Sequence, residues 1–81
     1  MANIRLTKHM ERRIQERKLP LAWIEATIAA PDWTAADPDP ALIRSFRAIA
    51  EAGRRVLRVV HRTEGADIVV VTAHFDRSAR R

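Results

Sequence analysis

Two β-branched runs, Arg55–Arg62 and Asp67–Phe75, flank Thr-Glu-Gly-Ala and constrain this chain more than any other feature, because together they read as the arms of a β-hairpin. Side-chain parity sets their faces. Val69, Val71, Ala73 and Phe75 share one side of the second arm, expected to meet the helices, and Ile68, Val70, Thr72 and His74 share the other. In the first arm Leu57, Val59 and His61 oppose Arg58, Val60 and Arg62. Matching apolar face to apolar face pairs positions whose numbers add to about 130, which predicts a five-residue loop with Arg58 opposite Thr72 and diagonal to His74.

The first third of the chain is helical in pattern. Thr7 is suited to an N-cap, and Leu6, Met10 and Ile14 recur every four residues, which draws an apolar stripe along a helix from Lys8 to Lys18. Pro20 fits the first turn of a second helix, whose stripe of Leu21, Ile24 and Ile28 ends at Pro31-Asp32. Residues 31–40, with three prolines and three aspartates, read as a loop. Residues 41–52 fit a helix capped by Asp39 and closed by Gly53, and they also fit a strand. A strand over 43–50 with Phe46 pointing inward sets Ala48 beside Leu57 and Arg47 beside Arg58. The predicted fold is α+β, two N-terminal helices packed on a three-stranded antiparallel sheet, with residues 1–76 as one domain and 77–81 as a basic C-terminal tail.

At 81 residues and 47% apolar composition, one small core is all the chain can build, and a second subunit covering an apolar face would add to it. There is no cysteine, which excludes disulfides and thiolate zinc sites. The longest apolar runs, four residues each at Ile68 to Val71 and Leu21 to Ile24, are far short of the roughly 20 residues that cross a bilayer, and no signal-peptide core is visible. A cytoplasmic protein without a membrane partner is expected. Charge is segregated: residues 1–18 carry six basic and two acidic groups, 19–43 none and four, and 44–81 nine and four. Arginine outnumbers lysine thirteen to two, and the planar guanidinium fork suits phosphate. RNA or another polyanion is therefore the expected partner, with an acidic protein or an ordinary solvated surface as alternatives.

Several short motifs carry a family resemblance: His9, Arg13 and Arg17 in H-x-x-x-R-x-x-x-R, Arg-Val-Leu-Arg-Val-Val at 55–60, Val-Thr-Ala at 71–73 and Phe75-Asp76-Arg77. Together they resemble a family of short bacterial domains of uncharacterised function allied to the BrnT and RelE/ParE toxin superfamily. That resemblance implies two helices on a small antiparallel sheet, an RNA-directed activity and an antitoxin protein that covers the active surface.

Two constellations offer chemistry. His9, Arg13 and Arg17 stack at i, i+4 and i+8 along one flank of the first helix, where they could bind successive phosphates. Arg47, Arg58, Thr72 and His74 gather on the open face of the sheet in the deduced register. Like charges facing each other across strands destabilise a sheet, so a bound anion would offset that cost. RNA cleavage needs a base for the 2′-hydroxyl, an acid for the leaving oxygen and positive charge at the phosphorane. His74 and Arg58 can supply them in a metal-independent endoribonuclease. His9, His61 and His74 lack ligand spacing, so neither metal nor cofactor is expected. Trp23 and Trp33 read as packing groups rather than a base-stacking platform. The alternative function is a non-catalytic module that binds a protein or nucleic acid.

Overall fold

A computed structural model describes residues 3–80 as strand β1 (Asn3–Leu6), helices α1 (Lys8–Arg17) and α2 (Leu21–Ala29), then strands β2 (Trp33–Ala36), β3 (Ile43–Ile49), β4 (Arg55–Glu64) and β5 (Asp67–Phe75). The class is α+β, as expected. The sheet, however, has five strands in the order β1-β5-β4-β3-β2, with β1 parallel to β5 and every other pair antiparallel. This corrects the expected three-stranded antiparallel sheet. Both added strands are four-residue edges. Asn-Ile-Arg-Leu is too short to show a period, and Trp-Thr-Ala-Ala lies inside the proline- and aspartate-rich segment that reads as loop.

The helices form where their signals lie. Thr7 Oγ1 accepts the Met10 N–H at 3.1 Å, closing an N-cap, and Lys18 ends α1 in the left-handed region at φ 51°, donating its N–H back to Gln15 and Ile14. Pro20 caps α2 without a side-chain bond. Met10, Leu19 and Ile24 then pack on Ile49, Leu57, Val59, Val70 and Ala73 to make the core.

Residues 43–49 are strand, which resolves the ambiguity of that segment. The β4–β5 turn is tighter than expected, since Glu64 pairs Asp67 around Gly65 and Ala66. Gly65 takes φ +59°, a conformation that needs no accommodation without a Cβ. From Leu57–Phe75 to Val60–Thr72 the paired numbers run in one register, and from His61–Val70 onward they run one lower. Val71 is the extra residue, a β-bulge that reverses the faces of half the strand. Ala73 and Val70 thus both enter the helix-facing core, whereas Val69, expected there, is buried outside that cluster and pairs with Arg62. An unbroken two-residue period cannot anticipate this.

Candidate functional site

Four side chains form one rung across the sheet face remote from the helices: Trp33 pairs Phe46, Phe46 pairs Arg58, and Arg58 pairs His74. Trp33 and Phe46 lie nearly parallel, ring centres 4.9 Å apart and planes 7° from each other. Beside them Arg58 Nη2 sits 3.0 Å from His74 Nε2, and Nη1 reaches Asp76 Oδ2 at 3.4 Å. The Arg58 Nε is buried and meets no acceptor within the protein. Burial of an unpaired donor opposes folding, so the guanidinium is not fully satisfied by its own chain.

Arg58 sits opposite His74 rather than Thr72, because the register is two positions away from the one deduced, and the histidine becomes its direct neighbour. Thr72 instead faces Val60, two rungs along and on the same face. Arg47 leaves the site altogether. It pairs Leu57 on the helix side and donates from Nη1 to the Ala30 carbonyl at 2.6 Å, at the end of α2. Arg47 would reach the open face only with Phe46 pointing to the helices; Phe46 instead packs on Trp33, and the face of every β3 residue changes with it.

Helix α1 contributes from the side. Arg17 Nη1 donates to the Ala73 carbonyl at 2.8 Å, one residue before His74, and its charge is felt by the imidazole. The His74 pKa is lowered from the ordinary 6.5, first by burial, then by Arg58 and Arg17, with Asp76 opposing them. Since arginine can only donate, Nε2 of His74 must accept, which places the remaining ring proton on Nδ1. His74 is therefore a neutral base at physiological pH, its Nε2 lone pair held by a cation. The Asp76 carboxyl is lowered, chiefly by hydrogen bonds from the Ser78 side chain and backbone, so it stays ionised. His9 and Arg13 contact each other at 3.3 Å on exposed α1, apart from this group in the bonding pattern. Of that predicted stripe, Arg17 is the member whose charge reaches His74.

The chain matches the family described as a domain of unknown function, DUF4258, over residues 6–75. It belongs to that family. No curated protein and no solved structure matches it significantly. The matched span of this DUF4258 domain runs from the last residue of β1 to the last residue of β5, so it takes in Arg17, Arg58 and His74 and stops just short of Asp76.

Asp76 was not singled out by sequence reasoning. Its only signal is its place at the strand end beside His74, in the Phe75-Asp76-Arg77 motif. Phe46 was assigned to the wrong face, and the pairing of Trp33 with it could not be read without strand β2. On the opposite side of this domain's sheet, Ser45 Oγ and His61 Nε2 lie 2.8 Å apart. Ser45 is 2% exposed and burial lowers the His61 pKa, so the pair satisfies a buried hydroxyl. Among the described residues no three His, Asp or Glu side chains converge as metal ligands, and no helix is long and apolar enough to cross a membrane.

Proposed function

We propose that this domain is RNA-directed and toxin-like, a metal-independent endoribonuclease neutralised by an antitoxin, with His74 as base and Arg58 as the phosphate-binding cation. The observation that carries this reading is the 3.0 Å contact between Arg58 Nη2 and His74 Nε2. It couples a permanent cation to an imidazole kept neutral by burial and by two arginines. Those are two of the groups that transesterification of RNA requires, the third being a proton donor for the leaving 5′-oxygen.

In the proposed step, a phosphate draws Arg58 away from His74 and frees Nε2. The freed nitrogen takes the proton of the 2′-hydroxyl as its oxygen attacks phosphorus, giving a 2′,3′-cyclic phosphate, and the 5′-oxygen leaves with a proton from solvent. Arg58 neutralises charge on the phosphorus oxygens, and Arg17 adds to the local field. Asp76 cannot act as the acid while it is ionised; it orients Arg58. Thr72, two rungs away on the same face, and His9 with Arg13 on α1 are secondary phosphate contacts along the RNA. The kinship with BrnT and RelE/ParE toxins, and an acidic antitoxin lying over this face, belong to the same proposal.

One observation favours the alternative of a binding module without chemistry: the His74 lone pair is occupied by Arg58 in the free protein. Purified protein incubated with RNA, with and without ribosomes, separates the two. Cleavage to cyclic phosphate ends, together with growth arrest on induction, supports the nuclease. Salt-sensitive binding without cleavage supports the module.

A further inference from the structure

We propose a second anion site, a pocket for the terminal phosphate of a nucleotide, at the end of the sheet where β4 begins and the chain leaves β5. A cleft of about 490 Å³ opens there, lined by Arg54, Arg55, Arg77 and Arg80 with Val56 and Phe75. Its volume falls in the range of small-ligand sites. The one acidic residue in its wall, Asp76, already has both oxygens engaged: Oδ1 accepts from the Ser78 N–H and hydroxyl, and Oδ2 pairs with Arg58. Among the described residues, Arg54, Arg77 and Arg80 take part in no ion pair. The pocket is therefore a concentration of positive charge with no free carboxylate in its wall.

Three features of the backbone and of Arg55 bring these exposed arginines to one cleft. The Asp76–Ser78 turn, continued by Ala79 N–H to the Asp76 carbonyl at 3.3 Å, carries Arg77 and Arg80 back toward the start of β4. Arg81, the last residue of the predicted basic tail, lies outside the described residues. Arg55 is fixed over the Phe75 ring, 4.1 Å from its centre, with Nε donating to Ala52. Arg54 takes φ +65°, directly after Gly53 at φ +69°. An arginine in the left-handed region is strained where glycine or asparagine would serve the turn with less strain, and strain of this kind accumulates at functional sites.

Several guanidinium groups around one cavity suit a phosphomonoester, which carries close to two charges near neutral pH, better than a singly charged diester. The Arg55 guanidinium over the Phe75 ring, with Val56 beside it, offers a surface on which a nucleobase can rest, since bases stack on guanidinium groups as well as on aromatic rings. The ligand is thus a phosphorylated nucleotide, either free or as the end of an RNA strand. The second source rests on the RNA-directed reading, and the first does not.

The test is binding, measured by calorimetry and fluorescence anisotropy, of adenosine, adenosine monophosphate and oligoadenylate hexamers bearing a phosphate at the 5′ end, at the 3′ end or at neither. Adenosine monophosphate should bind and adenosine should not. A terminal phosphate should tighten hexamer binding at least 10-fold, and Arg54→Asn or Arg80→Ala should remove that preference while preserving Tm. Arg80→Ala keeps the test informative should Arg54→Asn disturb the turn. Hexamers that bind equally with and without a terminal phosphate, while adenosine monophosphate does not bind, would overturn the pocket and leave the RNA reading standing. Binding of adenosine monophosphate with no binding of any hexamer would support the pocket with a free nucleotide as ligand and remove the RNA reading. No binding of any probe overturns both.

Discussion

His74 and Arg58 share a contact but not a role, and single substitutions should separate them. His74→Ala removes the base and leaves the cation, so RNA cleavage should fall about 100-fold or more while RNA affinity stays within a factor of about 2. Arg58→Ala removes charge felt by both bound substrate and transition state, so affinity and turnover should fall together. Steady-state cleavage with fluorescence-quenched RNA, beside equilibrium binding, resolves the two patterns. Cleavage that survives both substitutions would move the catalytic centre away from this rung. His61→Ala is the contrasting case, because it strands the buried Ser45 hydroxyl. It should cost about 1–3 kcal/mol in urea denaturation without altering turnover per folded molecule.

At the level of elements, some of the fold was legible and some was not, for identifiable reasons. α1, α2 and the hairpin carry their own signals: a capping threonine, four-residue apolar spacing and β-branched runs. Strands β1 and β2 carry none, because an edge of four residues is defined by its partner and not by its own period. The site divided along the same line. Arg58 and His74 were placed on one face by parity, and the structure makes them neighbours. Their true rung, however, depends on the tight turn at Gly65 and the bulge at Val71, and Arg47 was misplaced because the side chosen for Phe46 was wrong. Asp76 lies two residues from His74, but its pairing with Arg58, like the reach of Arg17 to the Ala73 carbonyl, is a tertiary contact that no spacing records. The most local of the signals is also a testable one. Thr7 stands where β1 hands over to α1, so Thr7→Ala should destabilise the domain by about 1 kcal/mol, read from the urea midpoint at unchanged m-value.

For the whole molecule, stability should follow the histidines first as pH falls. Both His61 and His74 have pKa values lowered below the ordinary 6.5, so the folded chain binds fewer protons than the unfolded one in the window beneath that value. Their contribution is complete above about pH 6.5 and is lost as pH drops through the lowered values, and the depressed carboxyls of Asp37, Glu64 and Asp76 add a further loss at lower pH. Urea midpoints should therefore be level near pH 7 to 8 and decline below about 6.5. His74→Gln, which cannot take up the proton, should flatten that decline. A second response of the whole molecule reports on its charge. With a net +5, Arg58 on the sheet, Arg17 at the end of α1 beside it and four arginines at the end of the sheet, three or four phosphates of a single strand can be neutralised together. Each contributes about −0.7 to the slope of log affinity against log salt, which gives roughly −2 to −3 for the intact protein. Arg58→Ala should lower the magnitude of that slope by about 0.7, one phosphate contact, whereas His74→Ala should leave it unchanged because the imidazole is neutral at the pH of the measurement. A slope near zero for the intact protein would mean that the arginines do not meet phosphates, and that the sheet face binds an uncharged surface instead.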